Sequence, residues 1–375
     1  AVLWGMGRTL VLENPEIWGG VIDVDDSLPP QLVARHLRAE TAGADGDDQV
    51  VYRTGERHVP RLERCPLPPA ALNRLEPDTS HLVIGATGNV GPYLVRQLAE
   101  MGAATVVAVS RRGGQLGELA AELAPLGTTL VEVAADAADE TAMAALFARF
   151  GNGLPALDGI YVAALAGDQA LLSEMTDDQV ATMFRAKLDV PAVLHKVSLG
   201  TPLRRFVLFS SITGILGSRG LGHYTAAGAF SDAFAYARRT LGVPATVIDW
   251  GLWKSWADAQ PTMKSGGLDS MPNDAAIRML PAVLGPDSPV QCALVGADWP
   301  RLADAYRMRT PLKVIDYLLA GDGTGADLAG PARARTQALP GRSQSARRRG
   351  GSGVGAAAHA VGGGRAGRRG RGRRH

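Results

Sequence analysis

The sequence predicts an α/β fold organised around a doubly wound parallel sheet. Three observations carry that expectation. Between about residues 78 and 320, short runs of Val, Ile and Leu alternate with stretches of helical periodicity, six or seven times over. The runs are continuously apolar, as expected of parallel strands covered by helices on both faces. The first of them leads straight into glycines spaced three apart and then a proline, the pattern of a strand turning tightly into a helix.

In chain order, Gly20–Val24 reads as a strand, and Pro29-Pro30 open a helix carrying Leu32, Val33 and Leu37 on one side. Val50–Arg53 and Arg57–Leu62 flank Thr54-Gly55-Glu56 and predict a hairpin. Arg64-Cys65-Pro66-Leu67-Pro68-Pro69 is a proline-dense connector that cannot continue a helix. Residues 1–76 therefore read as a scaffold with few groups able to do chemistry, and the chain is expected to begin inside it. Residues 77–320 supply the main fold. Strands are predicted at His81–Ala86, Thr105–Arg111, Thr129–Ala134, Gly159–Ala164, Phe206–Ser211, Ala245–Trp250 and Gln291–Val295. Helices are predicted at Pro92–Met101, Gln115–Leu126, Glu140–Phe150, Asp177–Ser198 and Thr225–Leu241. In such folds ligands sit outside the carboxyl ends of the strands.

Residues 321–375 are rich in Gly, Ala and Arg without periodicity. They bury too little apolar area to offset chain entropy, so a disordered tail is expected. A bland extension is one reading. An arginine-glycine tail that binds nucleic acid is the other, weakened because no aromatic residue interleaves the arginines to stack on bases.

Bulk composition narrows the classes. With 46% hydrophobic and 20% charged residues the chain reads as globular. No run approaches the roughly 18 uninterrupted apolar residues of a membrane span. Ala1-Val2-Leu3-Trp4-Gly5 lacks the basic start and cleavage site of a secretory leader, so the cytoplasm is the expected compartment. Cys65 and Cys292 are the only cysteines, and no HExxH or CxxC spacing occurs, so neither a disulfide framework nor a metal site is expected. The net charge of +2 hides an asymmetry: all 37 acidic residues lie at or before Asp327, and twelve arginines lie after it. The preceding body carries 27 basic against 37 acidic groups, which disfavours nucleic acid as a partner.

His81-Leu82-Val83-Ile84 runs into Gly85-Ala86-Thr87-Gly88-Asn89-Val90-Gly91, and Pro92 falls at the first helical turn. The glycines permit a tight turn and close approach to a pyrophosphate, which then lies on the helix N-terminus. The fold is thus expected to be Rossmann-type and the loop a dinucleotide site, a glycine-rich turn with no ligand being the alternative. The end of the next strand selects the cofactor: an acidic residue there binds a ribose 2′-hydroxyl, whereas a basic one accommodates a 2′-phosphate. Ser110-Arg111-Arg112 occupies that point, and NADPH is expected. Asp136, ending the third strand, either contacts the adenine or caps a helix. Ala163, ending the fourth, completes the set expected along the cofactor.

Reduction of a carbonyl by hydride needs a proton donor for the forming alkoxide and a second polar group to hold the oxygen. A tyrosine, ordinarily titrating near 10, is a usable acid only beside a cation. Ser211 ends a predicted strand, Tyr224 stands thirteen residues later at a helix start, and Lys187 lies on the preceding long helix. Singly, Tyr224 reads as a core aromatic and Ser211 as a buried strand-end hydroxyl. Grouped with a nucleotide loop, they read as a site. Trp253, Trp256 and Met263 lie in a Gly/Pro-containing segment that reads either as a mobile lid or as ordinary loop hydrophobes.

Phe206-Val207-Leu208-Phe209-Ser210-Ser211, Gly214 to Gly217, Tyr224 and Asp249-Trp250-Gly251-Leu252-Trp253 resemble the ketoreductase domain of modular polyketide synthases, within the short-chain dehydrogenase/reductase superfamily. Lys187, in Phe184-Arg185-Ala186-Lys187-Leu188-Asp189, matches that family's placement of the lysine a helix and a strand before the tyrosine. The resemblance covers nearly all of residues 1–320. Leu3–Arg8 and Asn14–Gly20 are similar to the later half of the family's structural subdomain, which binds no cofactor. Ile160–Ala164 and His223–Ala226 look most similar to mycobacterial synthases of methyl-branched lipids, the mycocerosic acid synthase type.

The resemblance implies that Ser211 hydrogen-bonds a keto oxygen, that Tyr224 protonates it, and that Lys187 supports the tyrosine and binds the nicotinamide ribose. It implies NADPH-dependent reduction of a β-ketoacyl thioester on an acyl carrier protein, with other synthase domains as partners. Departures are visible. Gly228 stands where the family usually has Asn, and Ile84 where a threonine is expected. Gln169 and Leu216 fall at the positions that mark the two stereochemical classes and match neither. A ketoreductase-like remnant that binds nucleotide or partner domains without turnover is the alternative.

Overall fold

Helix α1 (Val2–Glu13) opens the chain. Its Gly5 and Gly7 lower helix propensity by roughly 1 kcal/mol each, and packing explains them. A Cβ on Gly5 would overlap the backbone of Thr225 and Ala226, so the glycine lets two helices touch. Strand β1 (Val21–Asp23) lies parallel to β2 (Gln49–Arg53), joined through α2 (Pro30–Thr41). β2 forms a hairpin with β3 (Glu56–Arg64), whose two-residue turn has positive φ at both Thr54 and Gly55, as a type I′ turn requires. Of the expected apolar side of α2, Leu32 and Val33 are half-buried, whereas Leu37 is 42% exposed. His36 instead stacks on Tyr52 with ring centroids 3.9 Å apart, and Glu40 pairs with Arg57 at 2.7 Å.

This is a computed structural model, and it describes residues 1–43, 45–65, 74–258, 266–285, 289–320 and 332–339. The parallel core begins with β4 (Thr79–Ile84), α3 (Gly91–Glu100), β5 (Thr105–Ser110), α4 (Gly117–Leu123) and β6 (Thr129–Ala134). It continues through α5 (Glu140–Phe147), β7 (Ala156–Val162), α6 (Asp177–Phe184), α7 (Val190–Ser198), β8 (Arg205–Ser211) and the short α8 (Thr213–Leu216). α9 (Gly222–Thr240), β9 (Thr246–Trp250), the two-residue β10 (Leu268–Asp269), β11 (Gln291–Leu294) and β12 (Gly296–Ala297) follow. β13 (Ala332–Leu339) comes last among the described residues.

Eleven of these strands join one sheet, in the order β1-β2-β3-β13-β11-β9-β8-β7-β4-β5-β6. From β11 to β6 the neighbours are parallel. β4 is flanked by β5 and β7, so the chain winds outward one way and then returns to wind the other. The loops after β4 and β7 diverge and leave the crevice such sheets use for ligands.

Both faces are covered, which is why the strand sequences are continuously apolar. Leu82, Ile84, Val107, Val109, Ile160 and Val162 point into one core. Val83, Val106, Ala108, Tyr161, Val207 and Phe209 point into the other. Successive residues alternate between faces with the strand period of two. Leu94 and Leu98 of α3 are fully buried against the second core, each contributing roughly 1.5–3 kcal/mol relative to exposure.

Two expectations are corrected. The predicted helix Asp177–Ser198 is broken by a π-helical turn over Arg185–Asp189, with Val190 N–H bonded to Arg185 O. Pro191 lacks the N–H that would reach back to Lys187, so the α-ladder cannot run through this point. The other concerns the expected tail, within which a strand is described. Ala332–Leu339 pairs antiparallel with β3 from Arg64 to Arg57 and meets β11 at Ala293. Backbone N–H and C=O groups on open strand edges pair with any extended segment, a source of order that apolar content does not report. Pro340–His375 lie outside the described residues. No helix among the described residues is long and apolar enough to cross a membrane.

Candidate active site

The glycine loop spans residues 85–90, between β4 and α3. Gly85 has φ +92°, and a Cβ there would sit 2.8 Å from the backbone of Ala163 and Ala164 at the end of β7. A Cβ on Gly91 would overlap Gly85 O, so these two glycines hold strand, turn and helix together. Gly88 differs: it is exposed with Thr87 and Asn89, and the nearest atom to a Cβ there would be 3.3 Å away. Val90 precedes α3 without a side-chain cap, Gly91 N–H donates to Gly88 O at 3.2 Å, and Pro92 has no N–H. The exposed backbone of residues 87–89 beside this helix start is where an anion fits. Ile84 packs into a core at 4% exposure, which accounts for an apolar residue at that position.

At the end of β5, Ser110 Oγ accepts from Gly113 N–H at 3.0 Å and holds the Arg111-Arg112 turn, with both arginines exposed. Asp136 accepts from Ala138 N–H at 2.9 Å and from Arg185 at 2.7 Å. Partial burial pushes its carboxyl up, but these two partners and the charge of Arg111 hold it below its ordinary range. Asp136 thus holds a local turn and does not cap α5. The true N-cap of α5 is Asp139, which accepts from Thr141 and Ala142.

Lys187, Ser211 and Tyr224 come from the π-helical turn, the end of β8 and the first turn of α9, and all three line one cavity of about 310 Å³. Val90 and Ala163 border the same cavity, so the glycine loop opens onto it. Lys187 is 7% exposed and donates from Nζ to Phe209 O at 2.8 Å. Its ammonium also lies 5.9 Å from the centroid of the Tyr224 ring. Burial pushes Lys187 down to about 8. Burial raises the Tyr224 phenol, a hydrogen bond with Ser211 lowers it, and the Asp249 charge raises it. Thr213 orients Ser211 by donating its hydroxyl to Ser211 Oγ at 3.1 Å. A phenol, a hydroxyl and a buried ammonium thus face one apolar-walled space.

Residues 79–255 match the family model for the KR domain. The solved A-type ketoreductases from a modular polyketide synthase share 35% identity and a TM-score of 0.78 with this chain, over 85% of it and 68% of theirs. This chain belongs to the ketoreductase domains of modular polyketide synthases. A phenolphthiocerol/phthiocerol polyketide synthase polypeptide of Mycobacterium bovis is 59% identical over 325 residues, 85% of this ketoreductase. Its mycobacterial source agrees with the resemblance drawn from residues 160–164 and 223–226. The pikromycin synthase component PikAIII of Streptomyces venezuelae is 35% identical over 326 residues. The chain spans 21% of the length of each of these two multidomain relatives.

Against that family the departures acquire a geometry. A Cβ on Gly228 of the ketoreductase would stand 2.9 Å from Gly214 Cα, so α9 and α8 meet where the family usually carries Asn. Gln169 lines the cavity, whereas Leu216 is buried at 3% exposure in a separate core. In the segment read as a lid or as loop hydrophobes, Trp253 is 5% exposed, with its ring centroid 4.8 Å from that of Trp250. It packs in the core and also walls the cavity, together with the partly buried Trp256. Met263 lies outside the described residues.

A buried carboxyl pair behind the site was not expected from the sequence. Asp249 of β9 is 0% exposed and Asp232 of α9 9% exposed. Gln291 donates to Asp249 at 2.8 Å. Burial pushes Asp249 up to about 6. Asp232 is raised further, first by burial and then by the neighbouring carboxylate, against the pull of Arg8. Two such groups out of water hold a proton between them. The signal was available: an aspartate inside the apolar run Val247-Ile248-Asp249-Trp250 must be paired or protonated.

Proposed function

We propose that this domain reduces the keto group of a β-ketoacyl thioester, presented on an acyl carrier protein, to the β-hydroxyacyl thioester, with NADPH as reductant. The supporting observation is the convergence of Lys187, Ser211 and Tyr224 on one cavity that the glycine loop borders. NADPH, when bound, supplies hydride to the carbonyl carbon. The Tyr224 phenol gives its proton to the forming alkoxide, and the Ser211 hydroxyl holds that oxygen in place. The Lys187 ammonium lowers the cost of the phenolate left behind and hydrogen-bonds the nicotinamide ribose.

Residues 85–91 would hold the pyrophosphate, Arg111 and Arg112 would neutralise the 2′-phosphate, and Asp136 and Ala163 would hold the adenosine and nicotinamide ends. Leu221, Leu252, Trp256 and Leu268 offer an apolar wall to the acyl chain and exclude water. Residues 1–76 act as the structural part and 77–320 as the catalytic part. The setting is cytoplasmic polyketide or methyl-branched lipid synthesis, with other synthase domains as partners.

The test is NADPH oxidation with a β-ketoacyl N-acetylcysteamine thioester, run beside Tyr224→Phe. Wild-type turnover lost in the variant is the expected result; equal rates would remove the catalytic assignment. The contact of Gly228 with Gly214, which leaves no side chain for a proton relay, favours a second reading, a remnant that binds nucleotide without turnover. NADPH quenching of tryptophan fluorescence with no oxidation would select it.

A further inference from the structure

We infer that Glu13, on α1 and remote in sequence from every site residue, is a positioning residue that clamps together the two loops forming the substrate side of the cavity. The inference rests on the ketoreductase reading for its kinetic consequence and on geometry for the clamp itself.

Glu13 ends α1 and sends its two carboxylate oxygens to different loops. One accepts from Gly220 N–H at 2.7 Å, the other from Leu172 N–H at 2.8 Å. Leu172 belongs to the loop after β7, in which Gly167, Asp168 and Gln169 line the cavity. Gly220 immediately precedes Leu221, which with Tyr224 lines it from the other side. The loops also meet directly, with Ala170 N–H donating to Gly220 O at 2.9 Å. Apart from a single parallel β-bridge between Ala170 and Leu221, neither loop has regular structure to fix its backbone. A single carboxylate accepting from both fixes their separation, because its two oxygens are held at a constant distance by covalent geometry.

The clamp works only if α1 is itself rigidly placed, and it is. Gly5 lies against the Ala226 backbone. Thr9 Oγ1 contacts Thr225 Oγ1 at 3.2 Å and donates to Ser218 O at 3.1 Å. The Arg8 guanidinium donates to Gly214 O, and also to Gln49 at 2.7 Å. α1 is thus docked along the first turns of α9, the helix that carries Tyr224. The glycine loop is anchored elsewhere, on Ala163 and Ala164. Removing the Glu13 carboxylate should therefore loosen the substrate side and spare the nucleotide side. A carboxylate accepts strongly from two backbone N–H groups at once, whereas an amide oxygen facing the same pair leaves its NH2 opposing one of them.

The experiment compares wild type, Glu13→Ala and Glu13→Gln by hydrogen exchange and by kinetics with a β-ketoacyl N-acetylcysteamine thioester. Glu13→Ala is expected to speed exchange in peptides covering both 165–173 and 217–223, with protection in β4 and β8 retained as the sign of a folded core. KM for the thioester should rise about tenfold with less than a threefold change in kcat, the product stereoisomer ratio should erode, and the NADPH Kd should stay within twofold. Glu13→Gln should keep protection in one loop only. Unchanged exchange in either loop of Glu13→Ala, or faster exchange with the thioester KM unmoved, would overturn the inference. A wild type silent toward the thioester would remove the ketoreductase reading instead, and the exchange pattern alone would then decide the clamp.

Discussion

Lys187 donates its ammonium to the carbonyl of Phe209 at 2.8 Å, two residues before Ser211 on the same strand. One backbone oxygen therefore ties the π-helical turn to the strand that delivers the hydroxyl. Burial pushes Lys187 down to about 8, so its charge is lost as pH rises through that value. We expect kcat to fall above pH about 8, measured as a pH–rate profile at saturating NADPH. The stability effect has the opposite sign. A depressed lysine loses its proton in the folded state before it does in the unfolded state, so native stability rises between about 8 and the ordinary lysine range. Lys187→Met should therefore abolish turnover without lowering Tm at pH 7.

Tyr224→Phe removes the proposed acid and keeps the ring against its neighbours. General acid catalysis contributes roughly 10²–10⁴-fold, and we expect a loss of that size in kcat with NADPH binding little changed. Ser211→Ala should cost roughly 10²–10³-fold, as the loss of one oxyanion donor does. Steady-state rates and fluorescence titration check both.

Arg111→Asp together with Arg112→Asp should raise KM for NADPH by about tenfold or more and leave KM for NADH nearly unchanged, since charge-assisted phosphate contacts are what is lost. The check is the ratio of the two kcat/KM values. An unaltered ratio would mean these exposed side chains merely solvate the turn.

Asp249 and Asp232 bring a proton into the fold. With Asp249 pushed up to about 6, the folded state binds a proton that the unfolded chain has released by then. That contribution is present below about pH 4 and lost as pH rises through about 6. Asp249→Asn should flatten this slope, so that its urea midpoint exceeds wild type at pH 7 by more than at pH 4.5.

Gly228→Asn restores the side chain usual in the family, but a Cβ would meet Gly214 Cα at 2.9 Å. Overpacking of this kind costs about 1–3 kcal/mol. We expect a lower Tm and no gain in kcat, read by thermal unfolding and the thioester assay.

The parallel strands were legible because Leu82 and Val83, although adjacent, serve opposite cores, and a short run apolar at every position must be covered on both faces. Lys187, Ser211 and Tyr224 were singled out by their placement near a glycine loop together with the family resemblance, and they line one cavity. What failed to show depends on partners distant in sequence. α1 was hidden because Gly5 and Gly7 look unfavourable until the Ala226 backbone is beside the first and the Trp18 ring beside the second. β13 is ordered through backbone pairing that no side-chain pattern records. Trp253 read as part of a lid or as a loop hydrophobe because its packing against Trp250 is a tertiary fact. Glu13 meets its loops 159 and 207 residues away, so no local pattern could single it out.

The π-helical turn at Arg185–Asp189 holds one more residue than an α-turn needs. Lys187 therefore owes its bearing to what is in effect a single-residue insertion. Deleting one residue there would narrow the turn and leave the flanking helices in place, with Val190 and Leu194 still in the core beside Phe206 and Leu208. What would move is the turn itself and the lysine it aims. The helix can accept either its ideal pitch or the lysine's present aim, and this sequence has spent one peptide unit to secure the second.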